Sequence, residues 1–422
     1  MERKEKLLLV GGDIATPDAI RYCKSIGVYT IMTNDIPYEN NPYKQMADES
    51  WEIPVEELDI LEAKCREVGV TGVFAGTNEH NIDMTQALAK RLGLPFYASD
   101  EGWACNRDKG RFKEHCRAVG LDVPKRYPLS KPFAAEILKQ IAYPVIVKPV
   151  DGSAARGISV CHTEEELREA FDKAYLHSNV GDVIVEDYIE GIEVGLTYSF
   201  VKQQPVIHTV SASYPVLLGK RRAFALSTPS LYHWADFEKR YSSIMKCLFE
   251  RLGIKYGSLN IQTVYKDGRY YILEIGYRLD GAGAWNSYKK QSGYSPLEMH
   301  VDFQLGRKER DWRPTVGINP PTCMVSVCFL YCSPGKIKKI IGVDELKNMD
   351  GVTVTTNRFH EGDVVSECND LYQTAFICML ETKDEAATIN LMKNINNTVH
   401  FYNEEGKDML VYLDDYACLN EV

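Results

Sequence analysis

The chain has 422 residues, enough for two or three domains, with 45% apolar and 26% charged residues and a formal net charge of −10. Basic residues cluster only at Arg3–Lys6 and Lys336–Lys339, which argues against nucleic acid or an anionic membrane as the main partner. No apolar stretch is long enough to span a bilayer, and the charged start Met1–Lys6 runs straight into a strand, unlike a signal peptide. The twelve cysteines form no Cys-x-x-Cys and are scattered as reduced thiols are, so the expected location is the cytoplasm.

Leu7–Val10 reads as a strand and Gly11-Gly12 as a turn. Thr16 as cap and Pro17 at the first position start a helix that Gly27 ends, and Val28–Met32 is the next strand. This is a βαβ unit of a parallel sheet. The pattern continues with a helix over Val55–Val68, a strand over Val70–Ala75, a helix over Asp83–Leu92 and a strand at Pro95–Tyr97. The strand ends carry Gly11-Gly12, Asn34-Asp35 and Gly76-Thr77-Asn78-Glu79, where open α/β sheets present ligand loops. The GxGxxG pattern is absent, so a dinucleotide site is not indicated.

Helices follow over Arg107–Val119, with Asn106 as cap, and over Ser130–Ile141. Val145–Val147 is a β-branched strand, and a capping box at Thr163 opens a helix to Tyr175. Val183–Val185, Val194–Tyr198 and Val206–Ala212 read as strands, and Phe237–Leu252 as a long helix. Gly257–Val264 and Arg269–Ile275 form a hairpin turned by Lys266-Asp267-Gly268. Arg310–Val316 marks a boundary. Beyond it come strands at Thr322–Tyr331, Gly335–Ile341, Val352–Thr355 and Gln373–Leu380, and a helix from a second capping box at Thr382 to Ile395.

The chemistry concentrates after Val145. Lys148 closes its strand, and Asp151 to Gly157 is a loop of small residues with one Arg, followed by the strand Ile158–Val160. Small side chains leave backbone N–H groups open to phosphate oxygens, and Lys148 and Arg156 add positive charge. The Gly152 to Gly157 spacing mimics a P-loop, but Ile158 stands where its Lys should be and a strand follows instead of a helix. The segment is therefore either a hairpin flap over phosphates or an ordinary glycine-rich turn. Downstream, Glu186 and Glu193 lie seven residues apart around Gly191. In the hairpin, Asn260 and Gln262 share one strand face, as do Glu274 and Gly276. Cys323, Cys328 and Cys332 lack metal-ligand spacing and read as core, and the histidines read as structural.

A lysine strand, a glycine flap, the Glu-x-x-x-x-Gly-x-Glu strand end and a Gln…Glu…Arg hairpin, in that order, resemble the ATP-grasp superfamily, over a core from Asn106 to His300. The nearest likeness is to carbamoyl-phosphate synthetase halves and amino-acid ligases. The resemblance implies an α/β ATP-grasp fold, with an N-terminal parallel-sheet domain (1–96), the grasp core (97–310) and a C-terminal mixed α/β domain (311–422). It implies ATP and Mg²⁺, with Mn²⁺ as a substitute. Lys148 would face the α- and β-phosphates and Lys109 phosphate or adenine. Gly152, Ser153, Ala154, Arg156 and Gly157 would belong to the flap. Glu186 would accept from the adenine amino group, the Asp187-Tyr188-Ile189 backbone would be the hinge, and Glu193 would hold the ribose. Gln262 and Glu274 would hold metal, and Arg278 would steady the transferring phosphoryl group. Gly276 stands where the family has an Asn ligand and Tyr277 where it has Pro, which puts a second metal site in question; Asn260 or Asp280 is the substitute to test. Asn78, Glu79, Arg221 and Arg222 are candidates for the acceptor substrate. The implied reaction joins a small carboxylate to an amine through an acyl phosphate with release of ADP and phosphate. A bicarbonate-using carboxylase or carbamoyl-phosphate-type enzyme and a non-catalytic nucleotide-binding protein are the alternatives. The oligomeric state is open, a homodimer being the commonest arrangement.

Overall fold

The computed structural model describes residues 5–150, 157–178, 180–201, 203–219, 221–307, 323–367 and 371–413. The flap residues Gly152, Ser153, Ala154 and Arg156 and the boundary at Arg310–Val316 therefore lie outside the described residues. No helix of the described residues is long and apolar enough to cross a membrane.

The N-terminal strands form a parallel sheet in the order Glu49–Trp51, Tyr29–Thr33, Lys6–Val10, Gly72–Phe74. Leu7 to Val10 are buried on both faces, as a parallel strand covered by helices requires. The first helix, Thr16–Ser25, buries Ala19, Ile20 and Cys23. Thr16 lies inside it rather than capping it: its hydroxyl accepts from the Asp13 N–H at 2.9 Å. The fourth helix begins earlier than expected, at Glu79, because the Asn78 side chain caps it by accepting from Asn81 N–H. Pro95–Tyr97 is not a strand. Tyr97 is instead a buried anchor whose hydroxyl donates to the Tyr277 carbonyl at 2.9 Å.

Two expected helices are corrected. Arg107–Val119 is broken into Asp100–Arg107 and Lys109–Ala118, with Asp108 capping the second by accepting from Gly110 and Arg111 N–H. Asn106 is not the cap: its side-chain oxygen accepts from Tyr277 N–H at 2.6 Å. Ser130–Ile141 shrinks to Ala135–Leu138, and Pro132 disfavours a helical backbone at Lys131 before it. The capping box at Thr163 does form, with the return bond from Glu166 reaching the His162 N–H.

A small antiparallel sheet runs Arg126–Tyr127, Val183–Asp187, Val145–Pro149, Ser159–Cys161. Val145, Val147, Val183 and Val185 point to the helix Glu164–Leu176 and its Leu167 and Phe171. By the two-residue period, Ile146, Lys148, Ile184 and Glu186 point to the other face.

The large sheet runs Arg269–Gly276, Ser258–Lys266, Ile192–Val201, Gln204–Leu218, Arg221–Pro229, Met324–Cys332, Thr374–Thr382, Val352–Asn357. Leu226 pairs with Cys328, so the strands after residue 323 extend this sheet. Val194, Leu196 and Tyr198 bury into a core with Phe237, Leu248 and Phe249 of the helix Leu231–Arg251. Glu193, Gly195 and Thr197 consequently line the opposite face. The hairpin turn is the expected two-residue one: Lys266 pairs with Arg269 across Asp267 (φ 48°) and Gly268 (φ 75°). Leu297, Val301 and Leu305 of the chain beyond Arg278 share a core with Leu7, Leu9 and Phe74, tying that segment to the N-terminal sheet.

Candidate active site

The open face of the small sheet carries a buried ion triad. The carboxylate of Glu186 accepts from Lys148 through Oε1 and from Lys113 through Oε2. The three residues are 1%, 6% and 2% exposed, so these charges persist only because they are paired. Burial alone would raise the Glu186 carboxyl, but Lys148 and Lys113 outweigh it and hold it below its ordinary value. Burial would likewise depress Lys148, but Glu186 and Glu274 raise it. An adenine amino group would share Glu186 with two lysines. The N–H groups of Asp187 and Tyr188 donate to the Lys125 and Pro144 carbonyls at 3.0 and 3.1 Å, so both are already engaged within the fold. Tyr127 donates to the Asp187 carboxylate at 2.7 Å and fixes that side chain. Gly157 ends the flap at φ 71°, where a Cβ would meet His177 at 2.9 Å.

Across the cleft, Gln262 and Glu274 are cross-strand partners on the large sheet. Lys109, from the first turn of its helix, lies 3.3 Å from Glu274. Burial would raise the Glu274 carboxyl, but Lys109 and Lys148 hold it below its ordinary value, so it is ionised at neutral pH. Gln262 is exposed. Glu193 and Gly195 face the same side, Gly195 being in register with Gln262. Neither proposed substitute for a second metal ligand is free. Asn260 donates to the Arg278 carbonyl at 3.2 Å and accepts from the Thr197 hydroxyl at 3.2 Å. Asp280 accepts from the N–H groups of Ala282, Gly283 and Ala284, fixing the turn that leads into the helix Trp285–Ser292. Tyr277, in the family's proline position, is buried and donates to the Tyr256 carbonyl at 2.8 Å, anchoring the strand end that aims Arg278.

Arg278 reaches the start of the helix Glu79–Leu92. Its Nε lies 3.4 Å from Glu79, whose other oxygen accepts from Arg107 at 2.7 Å. Glu79 is thus a shared partner of two guanidinium groups at the strand-end edge. Beside it, Asn78 N–H donates to Asp13 at 3.0 Å. Arg221 and Arg222 open a strand, with backbones paired to Leu218 and Leu217 at the far end of the long hairpin. That position is five residues beyond Ser213, the residue paired with Glu193, so the backbone does not bring them beside Arg278.

Burial pushes His208 and His233 down to about 4, and Cys332 and Cys378 up to about 12. Glu101, Cys105 and His115 lie close enough to hold an ion, but their bonding opposes it. Arg251 donates to His115 Nδ1 at 2.9 Å, which assigns the ring proton to Nε2, and Nε2 donates to Glu101 at 2.7 Å. Arg111 completes the neutralisation and holds the Glu101 carboxyl at about 2.

Residues 121–213 match the family model described as D-ala D-ala ligase C-terminus. The crystal structure of L-amino acid ligase from Bacillus licheniformis superposes with a TM-score of 0.77 at 17% identity, covering 96% of this chain and all (100%) of that one. The fold is ATP-grasp. A second structure, the biotin carboxylase domain dimer of Hydrogenobacter thermophilus 2-oxoglutarate carboxylase with MgADP, ADP and bicarbonate, superposes with a TM-score of 0.75 at 18% identity, covering 97% of this chain and 92% of that one. In sequence, the 2-oxoglutarate carboxylase small subunit of the same organism is 27% identical over 299 residues, 65% of this chain and 61% of that protein. The carbamoyl phosphate synthase large chain of Methanoculleus marisnigri is 22% identical over 369 residues, 84% of this chain and 34% of that protein. The chain covers less than two thirds of the length of either relative.

Within this ATP-grasp cleft the structure brings together Lys109, Lys148, Glu186, Gln262 and Glu274, with Arg278 and Glu79 at its N-terminal edge. Sequence reasoning missed Lys113 and Arg107. Lys113 lies four residues after Lys109, so the two share a helix face, and that spacing was the available signal. Arg107 had none, because its partner Glu79 is distant in the chain.

Proposed function

We propose that the chain is an ATP-dependent carboxylate–amine ligase. The observation that carries this is the convergence of Lys109 and Lys148 on Glu274 between two sheets, a charge arrangement suited to a nucleotide's terminal phosphates. A substrate carboxylate oxygen would attack the γ-phosphorus and ADP would leave. The amine would then attack the acyl carbon, phosphate would leave, and the amine proton would pass to solvent. Phosphoryl transfer needs positioning and charge more than a covalent residue, so this reading requires no nucleophilic side chain. Lys148 would hold phosphate by a charge-assisted hydrogen bond, and Arg278 would face the anionic acyl phosphate with Glu79 fixing its direction. The ionised Glu274 and the exposed amide of Gln262 are hard oxygen donors on one face, a set that fits Mg²⁺. When bound there, Mg²⁺ would neutralise charge on the terminal phosphates. Small carboxylates and amines are the expected substrates, and a homodimer the expected assembly.

A second reading uses bicarbonate in place of the carboxylic acid. The likeness to 2-oxoglutarate carboxylase in sequence and structure favours it. One experiment tests both. The enzyme is incubated with ATP, Mg²⁺ and a panel of carboxylic acids and amines, singly and in pairs, with and without bicarbonate, and the nucleotides are separated by chromatography. ADP formed with an acid–amine pair is the expected result. AMP as the stoichiometric product overturns the acyl-phosphate mechanism, and ADP formed only with bicarbonate moves the chain to the carboxylase class.

Gly276→Asn restores the family's second ligand position. A Cβ there would lie 3.6 Å from the Asn260 carbonyl, ordinary contact, and no left-handed backbone is involved, so the variant folds. Half-saturation by Mg²⁺ is expected at lower concentration than in wild type. An unchanged Mg²⁺ titration would show that this position lies off the metal.

A further inference from the structure

We infer that Lys113 is a positioning residue for nucleotide binding: by neutralising Glu186 from behind, it releases Lys148 to turn its charge to the phosphates. This rests on the nucleotide-binding reading above. The geometry is a shared buried carboxylate, one oxygen to each lysine. The Glu186 carboxylate is divided between two ammonium groups, so it does not serve Lys148 alone. An incompletely compensated buried cation is costly, and an arriving anion reduces that cost. Without Lys113, Lys148 alone neutralises Glu186.

The groups facing Lys113 are Glu186 and Lys148 on the small sheet, Glu274 on the large sheet and Lys109 on its own helix; Arg126 lies nearby, beside Gly110. Burial and the neighbouring Lys148 push the Lys113 ammonium down to about 7 despite Glu186. Lys113 is 2% exposed and directs its ammonium to Glu186, beside Lys148, so it acts on the nucleotide through them as a positioning residue.

The test is calorimetric binding of MgADP to the full chain. Lys113→Met is expected to bind about tenfold more weakly, the scale of one charge-assisted contact. Because Lys113 acts through Lys148, Lys113→Met is expected to add little further loss in a Lys148→Met background. A structural or direct-contact role for Lys113 predicts additive losses. Unchanged affinity in folded Lys113→Met, or additive losses in the double variant, overturns the inference while leaving nucleotide binding intact. Absence of binding by wild type overturns the nucleotide reading and the inference together. If Lys113→Met does not fold, Lys113→Gln is measured in the same two backgrounds and decides by the same outcomes.

Discussion

Arg278→Ala is expected to lower turnover by about a thousandfold or more, the scale of an arginine facing a transferring phosphoryl group. Arg278 stands where the strand Arg269–Gly276 runs out toward the N-terminal domain, its direction set by Glu79 at 3.4 Å and by its own bond to the Leu279 carbonyl at 3.1 Å. The buried Tyr277 beside it anchors the strand end through Tyr97 and Tyr256, so the alanine variant keeps its backbone in place. Arg278→Lys should recover little, because an ammonium cannot reproduce the planar fork. Glu79→Gln should cost less than Arg278→Ala, since it loosens the guanidinium without removing it. ADP release is measured under substrate saturation, with thermal unfolding as the control. Turnover within tenfold of wild type in a folded Arg278→Ala protein would remove Arg278 from the chemistry.

Glu274→Gln is expected to reduce turnover by about a hundredfold to a thousandfold, as loss of one preorganised charge at a reacting phosphate does. The substitution keeps the shape that sits opposite Gln262 and deletes only the negative charge. It also leaves Lys109, 3.3 Å away, without its carboxylate, which favours an anionic ligand. Nucleotide affinity should therefore fall far less than turnover. This split is the diagnostic: equal losses in both would mean that Glu274 serves binding alone, and wild-type turnover would exclude it from the site.

Much of the site was legible because strands have a fixed period. Lys148, Glu186, Gln262 and Glu274 all sit on or at the end of strands whose apolar alternation declares which face is core. The turn at Lys266-Asp267-Gly268 set the hairpin register and hence the pairing of Gln262 with Glu274. Local chemistry misled where two caps competed. Asn106 reads as a helix cap, but Asp108 takes that role and Asn106 is drawn to Tyr277, 171 residues away. Ser130–Ile141 has a helical pattern, but only Ala135–Leu138 is helical, Pro132 disfavouring a helical backbone at Lys131.

By itself the sequence determined the α/β class, the order of the strands that carry the site, and which side chains share a face. Each of these depends on neighbours within a few residues, where period, turn chemistry and β-branching act. Only the tertiary structure decided who pairs with whom. Lys113 joins Glu186 across 73 residues and Arg278 meets Glu79 across 199, contacts with no local signature. Asp280 and Asn260 are withdrawn from the ligand set by backbone groups that only the fold brings near them. Charges distant in the chain are driven together because each is costly to bury alone, and the folded arrangement alone shows which pairs relieve that cost.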